Sequence, residues 1–483
     1  MPTRRGVRTA FAAAASLAVL APLAWFWASS LVPGAYSVTD LGYADHGGGP
    51  AHHAGVSVPV DALVPPAGAA PDVSVVLTAE QGPFTLPSGR RVEGYSVNGS
   101  SPGPVIEAEQ GQLVEVRLVN ESVGDGVTLH WHGVDVPGGM DGVAGVTQNA
   151  VAVGEEFTYR FYADRAGTYW YHSHQVAHEQ VRGGLFGALV VAPAAEARPV
   201  EVDALAVVHL FPGGRTVNGL DEDTAVAAAP GDRVRVRVVN TDAGPMQTWV
   251  EGAPFRLAAV DGTDLAGPEE VEDVSVTVTA GGRADLEFTV PEGGARVGLG
   301  GADLLFGDAP DEPGPVPAAI LDPLHYGTAP PAPALSAEDA DRVFEYAIGR
   351  RPGFLDGRPG LWWTVNGGLY PDVPMYTVAE GDLVVMRIAN GSGEVHPMHL
   401  HGHHALVLSR DGVAATGSPW WIDSLNVADD EEYEIAFTAD NPGIWMDHCH
   451  NLSHVLEGLS AHLMYEGVST PFTVGGDHGN HLE

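Results

Sequence analysis

A pattern that occurs three times along the 483-residue chain limits its folding more than any other feature. Each copy opens on Val-Asn-Gly, at Val97-Asn98-Gly99, Val217-Asn218-Gly219 and Val365-Asn366-Gly367. Each then reaches a glycine followed nine residues later by an asparagine: Gly111 to Asn120, Gly231 to Asn240 and Gly381 to Asn390. The residues between are largely β-branched or apolar and carry an arginine tip, as in Val114-Glu115-Val116-Arg117, which is a strand signal. A second strand pattern follows each copy: Phe157-Thr158-Tyr159-Arg160-Phe161, Asp285-Leu286-Glu287-Phe288 and Tyr433-Glu434-Ile435-Ala436-Phe437. One supersecondary unit repeated three times predicts an all-β chain of three consecutive Greek-key β-sandwiches. We place them at 71–195, 196–334 and 335–475.

Residues 1–39 read as a signal anchor or signal peptide. Arg4, Arg5 and Arg8 precede an uncharged run from Thr9 to Thr39 with an apolar core from Phe11 to Leu31, long enough to span a bilayer. The positive-inside rule leaves the N-terminus cytoplasmic and the domains outside. The protein is therefore expected to be extracytoplasmic, held on the outer face of the cell membrane if the helix is uncleaved, or secreted if it is cut after Ala28-Ser29-Ser30. Residues 40–70, rich in Gly, Ala, Pro and His, read as a flexible linker, and 476–483 as a His-containing tail. The net charge is -39, and all 23 basic residues are arginine; a surface this acidic argues against nucleic acid or anionic lipid as a partner.

The only cysteine, Cys449, rules out a disulfide within the chain. Its setting is His448-Cys449-His450 with His454, one of four histidine clusters. The others are His130-Trp131-His132, His172-Ser173-His174 and His396-Pro397-Met398-His399-Leu400-His401. All four fall in the first and third repeats; the middle repeat has no such pair. Side chains at i and i+2 of a strand share a face, so each His-x-His offers two imidazoles to one place. In His448-Cys449-His450 the imidazoles face one side and the thiolate the other. Two imidazoles and a thiolate suit an electron-transfer copper, supplied by Cys449, His454 and His396. Eight histidines are left over, too many for one metal. Zinc is the alternative ion, but structural zinc sites use four ligands and often several cysteines.

At these residues the chain resembles the three-domain multicopper oxidases, the laccase and copper-efflux oxidase family, over about residues 75 to 470. The resemblance implies three cupredoxin-like sandwiches and four coppers per chain. Type 1 copper would take His396, Cys449 and His454. Type 2 would take His130 and His399, and the binuclear type 3 pair His132, His172, His174, His401, His448 and His450. It implies single-electron oxidation of small reductants, phenols or aromatic amines, coupled to four-electron reduction of O2 to water. It further implies that electrons pass through Cys449 to His448 and His450, and that Asp141 relays protons or orients a bound water. Leu459 stands at the type 1 axial position, where many bacterial members carry Met, and Val455 stands where several carry Glu. His178, His403, His404 and His462 match no ligand position. Two other functions fit the same residues: a metal-ion oxidase for Cu(I), Fe(II) or Mn(II), and a copper-sequestering protein without turnover.

Overall fold

The computed structural model describes residues 4–51, 57–194, 200–310, 312–331 and 335–482. Each repeat folds as two facing sheets. In the first, Val73–Thr85 runs parallel to Leu113–Asn120, which pairs antiparallel with Glu156–Tyr162. The third repeats this with Arg342–Leu355, Leu383–Asn390 and Glu432–Thr438, and the second with Val202–Phe211, Arg233–Asn240 and Arg283–Thr289. The opposite sheets of the first and third domains hold the histidine strands. His130–His132 lies against Gly167–His172, and His396–Leu400 against Ile444–Cys449. The corresponding strand of the middle domain, Met246–Glu251, carries no histidine.

The repeated residues do one job three times. Asn98, Asn218 and Asn366 sit at φ 54°, 54° and 52°, each before a glycine of positive φ, the backbone an Asn-Gly turn needs. Each amide clasps the strand beside it: Asn366 Oδ1 accepts from Ala347 N at 2.7 Å, and its Nδ2 donates to Glu345 O at 2.7 Å. The closing asparagines are buried and tie the end of one sheet to the other. Asn120 Nδ2 donates to Val123 O and Val151 O, Asn240 Nδ2 to Gly244 O and Val278 O, and Asn390 Nδ2 to Glu394 O and Val427 O. The fixed glycine-to-asparagine spacing is the length of strand between turn and clasp.

Two segments differ from expectation. The stretch 40–70, expected as a flexible linker, is a strap on the third domain in its described part. Tyr43–Asp45 adds a parallel strand to Pro374–Val378, and Val58–Pro59 pairs with Val468–Ser469. Val60 buries its side chain, and Arg342 Nη1 donates to His46 O at 2.9 Å. An open sheet edge and a few β-branched residues outweigh the glycines. His52 and His53 lie outside the described residues, as does the expected boundary at 196. The tail also docks: Asn480 Oδ1 accepts from Ala150 N, and Gln175 Oε1 accepts from His481 N, each at 2.8 Å. The His478 and His481 side chains stay exposed. The N-terminal helix runs Arg4–Ser29, and Gly6–Ser29 is long and apolar enough to cross a membrane.

Replacing Asn390 strands the buried Val427 carbonyl and frees the part-buried Glu394 carbonyl, which costs more than one hydrogen bond. Asn390→Ala is expected to lower unfolding free energy by about 2–3 kcal/mol. A loss below about 1 kcal/mol in chemical denaturation, a surface-like value, would reject the clasp.

Candidate metal centre

The eleven predicted ligand residues gather in two places, all of them buried. The first is a triangle of donor atoms. Cys449 Sγ stands 3.6 Å from His396 Nδ1 and 3.6 Å from His454 Nδ1, and the two nitrogens are 3.1 Å apart. The point equidistant from all three lies about 2 Å from each, close to the bond length between a first-row metal and nitrogen or sulfur. Ser392 Oγ holds His396 Nε2 at 2.8 Å, and Asn451 Nδ2 holds His454 Nε2 at 2.9 Å. Trp363 packs on both rings, with centroids 4.7 and 4.6 Å away. Leu459 is fully buried, and its carbonyl accepts from Cys449 N at 3.3 Å.

The second place lies between the first and third domains. Its eight imidazoles form three groups, in each of which one donor atom per residue lies within 4.8 Å of the others: His130, His399 and His401; His132, His172 and His450; His174, His401 and His448, the first and last sharing His401. His130 Nε2 and His399 Nε2 are 3.3 Å apart, and His401 Nε2 and His448 Nε2 are 3.1 Å apart. The strand Ile444–Cys449 serves both places, as side-chain alternation requires, with His448 on one face and Cys449 on the other.

This second site fits a cationic cluster and little else. His132 Nε2, His172 Nε2 and His450 Nε2 are buried with no hydrogen-bond partner, an expensive state unless a metal takes the lone pairs. Burial holds His132, His172, His174, His399, His401, His448 and His450 well below the usual histidine pKa, and the neighbouring imidazoles add to this. The rings are therefore neutral, the form that binds metal.

The outer nitrogens are held by groups the sequence reading only partly found. Asp141, read there as a proton relay or water-orienting group, is fully buried and touches two rings. Its Oδ1 is 3.0 Å from His130 Nδ1, and its Oδ2 is 3.1 Å from His401 Nδ1. That contact fixes both tautomers and aims Nε2 inward. Asp423, which went unpredicted, does the same from the other side: its carbonyl meets His399 Nδ1 at 2.8 Å, and its Oδ1 lies 3.4 Å from His132 Nδ1. His403 and His404 are buried supports, not ligands. His403 bonds Tyr465 Oη at 2.6 Å, and His404 bonds Asp135 Oδ1 at 3.1 Å. His462 is also buried, and burial pushes it down to about 4.

The middle domain, which has no histidine pair, reaches the site all the same. Arg283 is completely buried and forks onto Asp423, Nη1 to Oδ1 at 2.7 Å and Nη2 to Oδ2 at 2.5 Å, while its Nη1 lies 3.3 Å from His132 Nδ1. Its backbone N donates to Asp261 Oδ1 at 2.9 Å, and Asp261 Oδ2 accepts from Ser424 N at 3.1 Å. Burial first, and then the Asp423 carboxylate, pushes Asp261 up to about 6. Beside them Gly281 forms the wall: a Cβ there would stand 2.6 Å from His132 Nε2. No motif marked these residues, because their meaning lies in contacts across domains. A cavity of about 480 Å³, lined by His178, Arg182, Arg215 and Asn451, reaches His450.

Family comparisons agree with this geometry. Residues 78–196 and 348–467, the first and third repeats, each match a family model described as multicopper oxidase. The chain belongs to the multicopper oxidase family. It is an oxidoreductase of the laccase-like kind that uses O2, and copper is its cofactor. Laccase-1 of Botryotinia fuckeliana is 28% identical over 78% of this chain and 79% of its own length. The multicopper oxidase MmcO of Mycobacterium tuberculosis is 26% identical over 81% and 87%. The crystal structure of a multicopper oxidase from Pseudomonas thermotolerans superposes with a TM-score of 0.67 at 26% identity, covering 81% of this chain and 98% of that one.

Two outcomes follow. Arg283→Met leaves Asp261 and Asp423 buried without their cation and is expected to cost about 3–5 kcal/mol, with most of the cost recovered in Arg283→Met/Asp423→Leu. Equal stability of the single and double variants in chemical unfolding would refute the pairing. In the metal-free protein, the depressed histidines bind fewer protons than the unfolded chain. Their contribution is present above pH 6.5 and lost as pH falls towards His396 at about 3. The raised carboxyls, Asp261 at about 6 and Asp447 at about 8, run the other way but are two against many. The Tm of the copper-free chain should therefore fall from pH 7 to pH 5, and a rise would contradict the neutral-cluster reading.

Proposed function

We propose that this multicopper oxidase takes single electrons from small phenols or aromatic amines at a type 1 site of His396, Cys449 and His454. It reduces O2 to water, with four electrons and four protons, at a three-copper cluster. Type 2 copper would be held by His130 and His399, and the type 3 pair by His132, His172, His174, His401, His448 and His450. Copper supplies one-electron redox chemistry at both sites and a place for O2 at the cluster. The observation that carries the reading is that one short strand feeds both sites. Cys449 lies in the first and its neighbours His448 and His450 in the second, so a few covalent bonds separate donor and acceptor. Leu459 offers no lone pair to a type 1 metal, which favours the reduced ion and a high potential. Asp141 is a positioning residue for His130 and His401. The cavity reaching His450 admits O2 and water.

We also propose that the N-terminal helix is retained as a membrane anchor, with the domains outside the cytoplasm. Cleavage after Ser30 would cut where the chain is docked: Ser30 Oγ accepts from Gly357 N at 3.1 Å, and Asp356 Oδ1 accepts from Val32 N at 3.2 Å. A second reading, oxidation of Fe(II), rests on Glu394, whose Oε2 lies 3.8 Å from His454 Nε2 while its Oε1 accepts from Arg350 Nη1 at 2.9 Å. Two related proteins are named iron transport multicopper oxidases, at 28% and 26% identity.

The full chain loaded with copper should show an intense thiolate-to-metal absorption band and consume O2 with a phenolic reductant without releasing peroxide. Cys449→Ser should lose the band and the uptake but keep about three of four coppers. A colourless wild type would refute the type 1 assignment. Faster uptake with Fe(II) than with phenols would select the second reading.

A further inference from the structure

The last turn of the N-terminal helix and the residues after it pack against one hairpin of the third domain. That hairpin is formed by Arg342–Leu355 and Arg358–Val365, and at its tip Gly357 N donates to Ser30 Oγ while Asp356 Oδ1 accepts from Val32 N. Trp27 and Leu31 lie against Gly357 so closely that a Cβ there would stand 3.0 Å from each. The rest of the helix stands clear of the domains, with Trp25 71% and Phe26 60% exposed. The same hairpin walls the type 1 site further along. Trp363 packs on His396 and His454, and Arg350 lies 4.3 Å over the Trp363 ring. From Arg350 to Leu355 is five residues, about 17 Å of extended strand. The proposed anchor and the proposed type 1 site are thus two ends of one hairpin.

The hairpin suits a membrane surface although the chain as a whole is strongly acidic. Arg351 and Arg358 are exposed near the tip beside Asp356, while Arg350 pairs with Glu394 at 2.9 Å and Glu345 lies further along the strand; Leu361 is exposed beside half-buried Phe354 and Trp362. Basic and aromatic side chains together are what an anionic interface retains. Below the helix end, a cavity of about 320 Å³ opens between Val32–Tyr36, the hairpin tip and the loop after His454. Its floor includes Val455 and Leu456, which directly follow His454. Its walls are largely apolar, with Pro33, Leu355 and Leu482, but the hydroxyls of Tyr36 and Tyr370 meet within it at 2.7 Å, and Asp356 lies at its rim. An apolar slot with a hydroxyl pair at one end fits an amphipathic molecule with a hydroxylated aromatic head.

We propose that this cavity binds a lipid-soluble hydroquinone, which reaches the type 1 site from the membrane side of the protein. The inference rests on the anchor and the type 1 site proposed above. The head would hydrogen-bond Tyr36 and Tyr370, the tail would lie along the apolar wall towards the helix, and Asp356 would pass released protons to water. Two hydroquinones give up four electrons and four protons to become two quinones; one O2 takes up four of each to become two waters.

The test uses the full chain, copper-loaded, in vesicles of phosphatidylcholine and phosphatidylglycerol. O2 uptake is compared for a decyl-tailed hydroquinone and the same head without a tail, with a water-soluble phenol as reference. The tailed form should be preferred by about tenfold in kcat/KM. Gly34→Phe, at a cavity position where a Cβ meets nothing within 4 Å, should cut that preference by about threefold or more. Leu361→Asp, an exposed change on the hairpin that leaves the core intact, should do the same. A preference near one, as expected if an acyl chain occupies the slot, would overturn the proposal. So would a preference that neither substitution moves, or a chain that does not float with the vesicles. Uptake with the phenol alone would sink this inference and leave the oxidase reading standing. Absence of uptake with every reductant would remove both.

Discussion

Eight imidazoles must be buried together, stay neutral and aim one nitrogen each at a common centre, and much of the surrounding structure answers to that demand. Packing uncharged rings at such distances is tolerable only while their lone pairs are bound, and their outer nitrogens must be pinned so that the rings cannot turn away. Asp141 pins two from the first domain's side, and Asp423 holds two more from the third. The strands supply the rest, because alternation delivers paired side chains to one face without any loop having to be shaped for it.

None of the eleven predicted ligand residues lies in the middle domain, yet the site depends on it. Arg283 enters from that domain, neutralises Asp423 and lies against His132, while Gly281 closes the wall where a side chain would collide with the rings. A guanidinium fork buried among carboxylates is a costly arrangement by itself. Here it ties the middle domain to Asp423 in the third and to His132 in the first.

The repeat, the clusters and the single cysteine made the fold and the inner ring of donors legible in the sequence, since both rest on short-range periodicity. Asn390 and its counterparts show why the spacing is fixed: a turn and a clasp must fall at set points along one strand. What stayed hidden depends on distant partners. Asp423 lies in a stretch with no motif, and Arg283 is one arginine among 23 until its neighbours are known. The strap at 40–70 was misjudged because composition records loose residues, not the open sheet edge that recruits them. Asp141 was recognised as important, but its part as an anchor for two rings follows only from the folded geometry.

The cluster draws four imidazoles from residues 130–174 and four from residues 399–450. A chain made from its N-terminus therefore displays half of the donors long before the other half exists. Each group of three imidazoles joins at least one histidine from either end of the molecule, so a chain that stops before residue 399 can offer only scattered pairs. The groups then fill in order: His130, His399 and His401 are complete by residue 401, and the other two wait for His448 and His450.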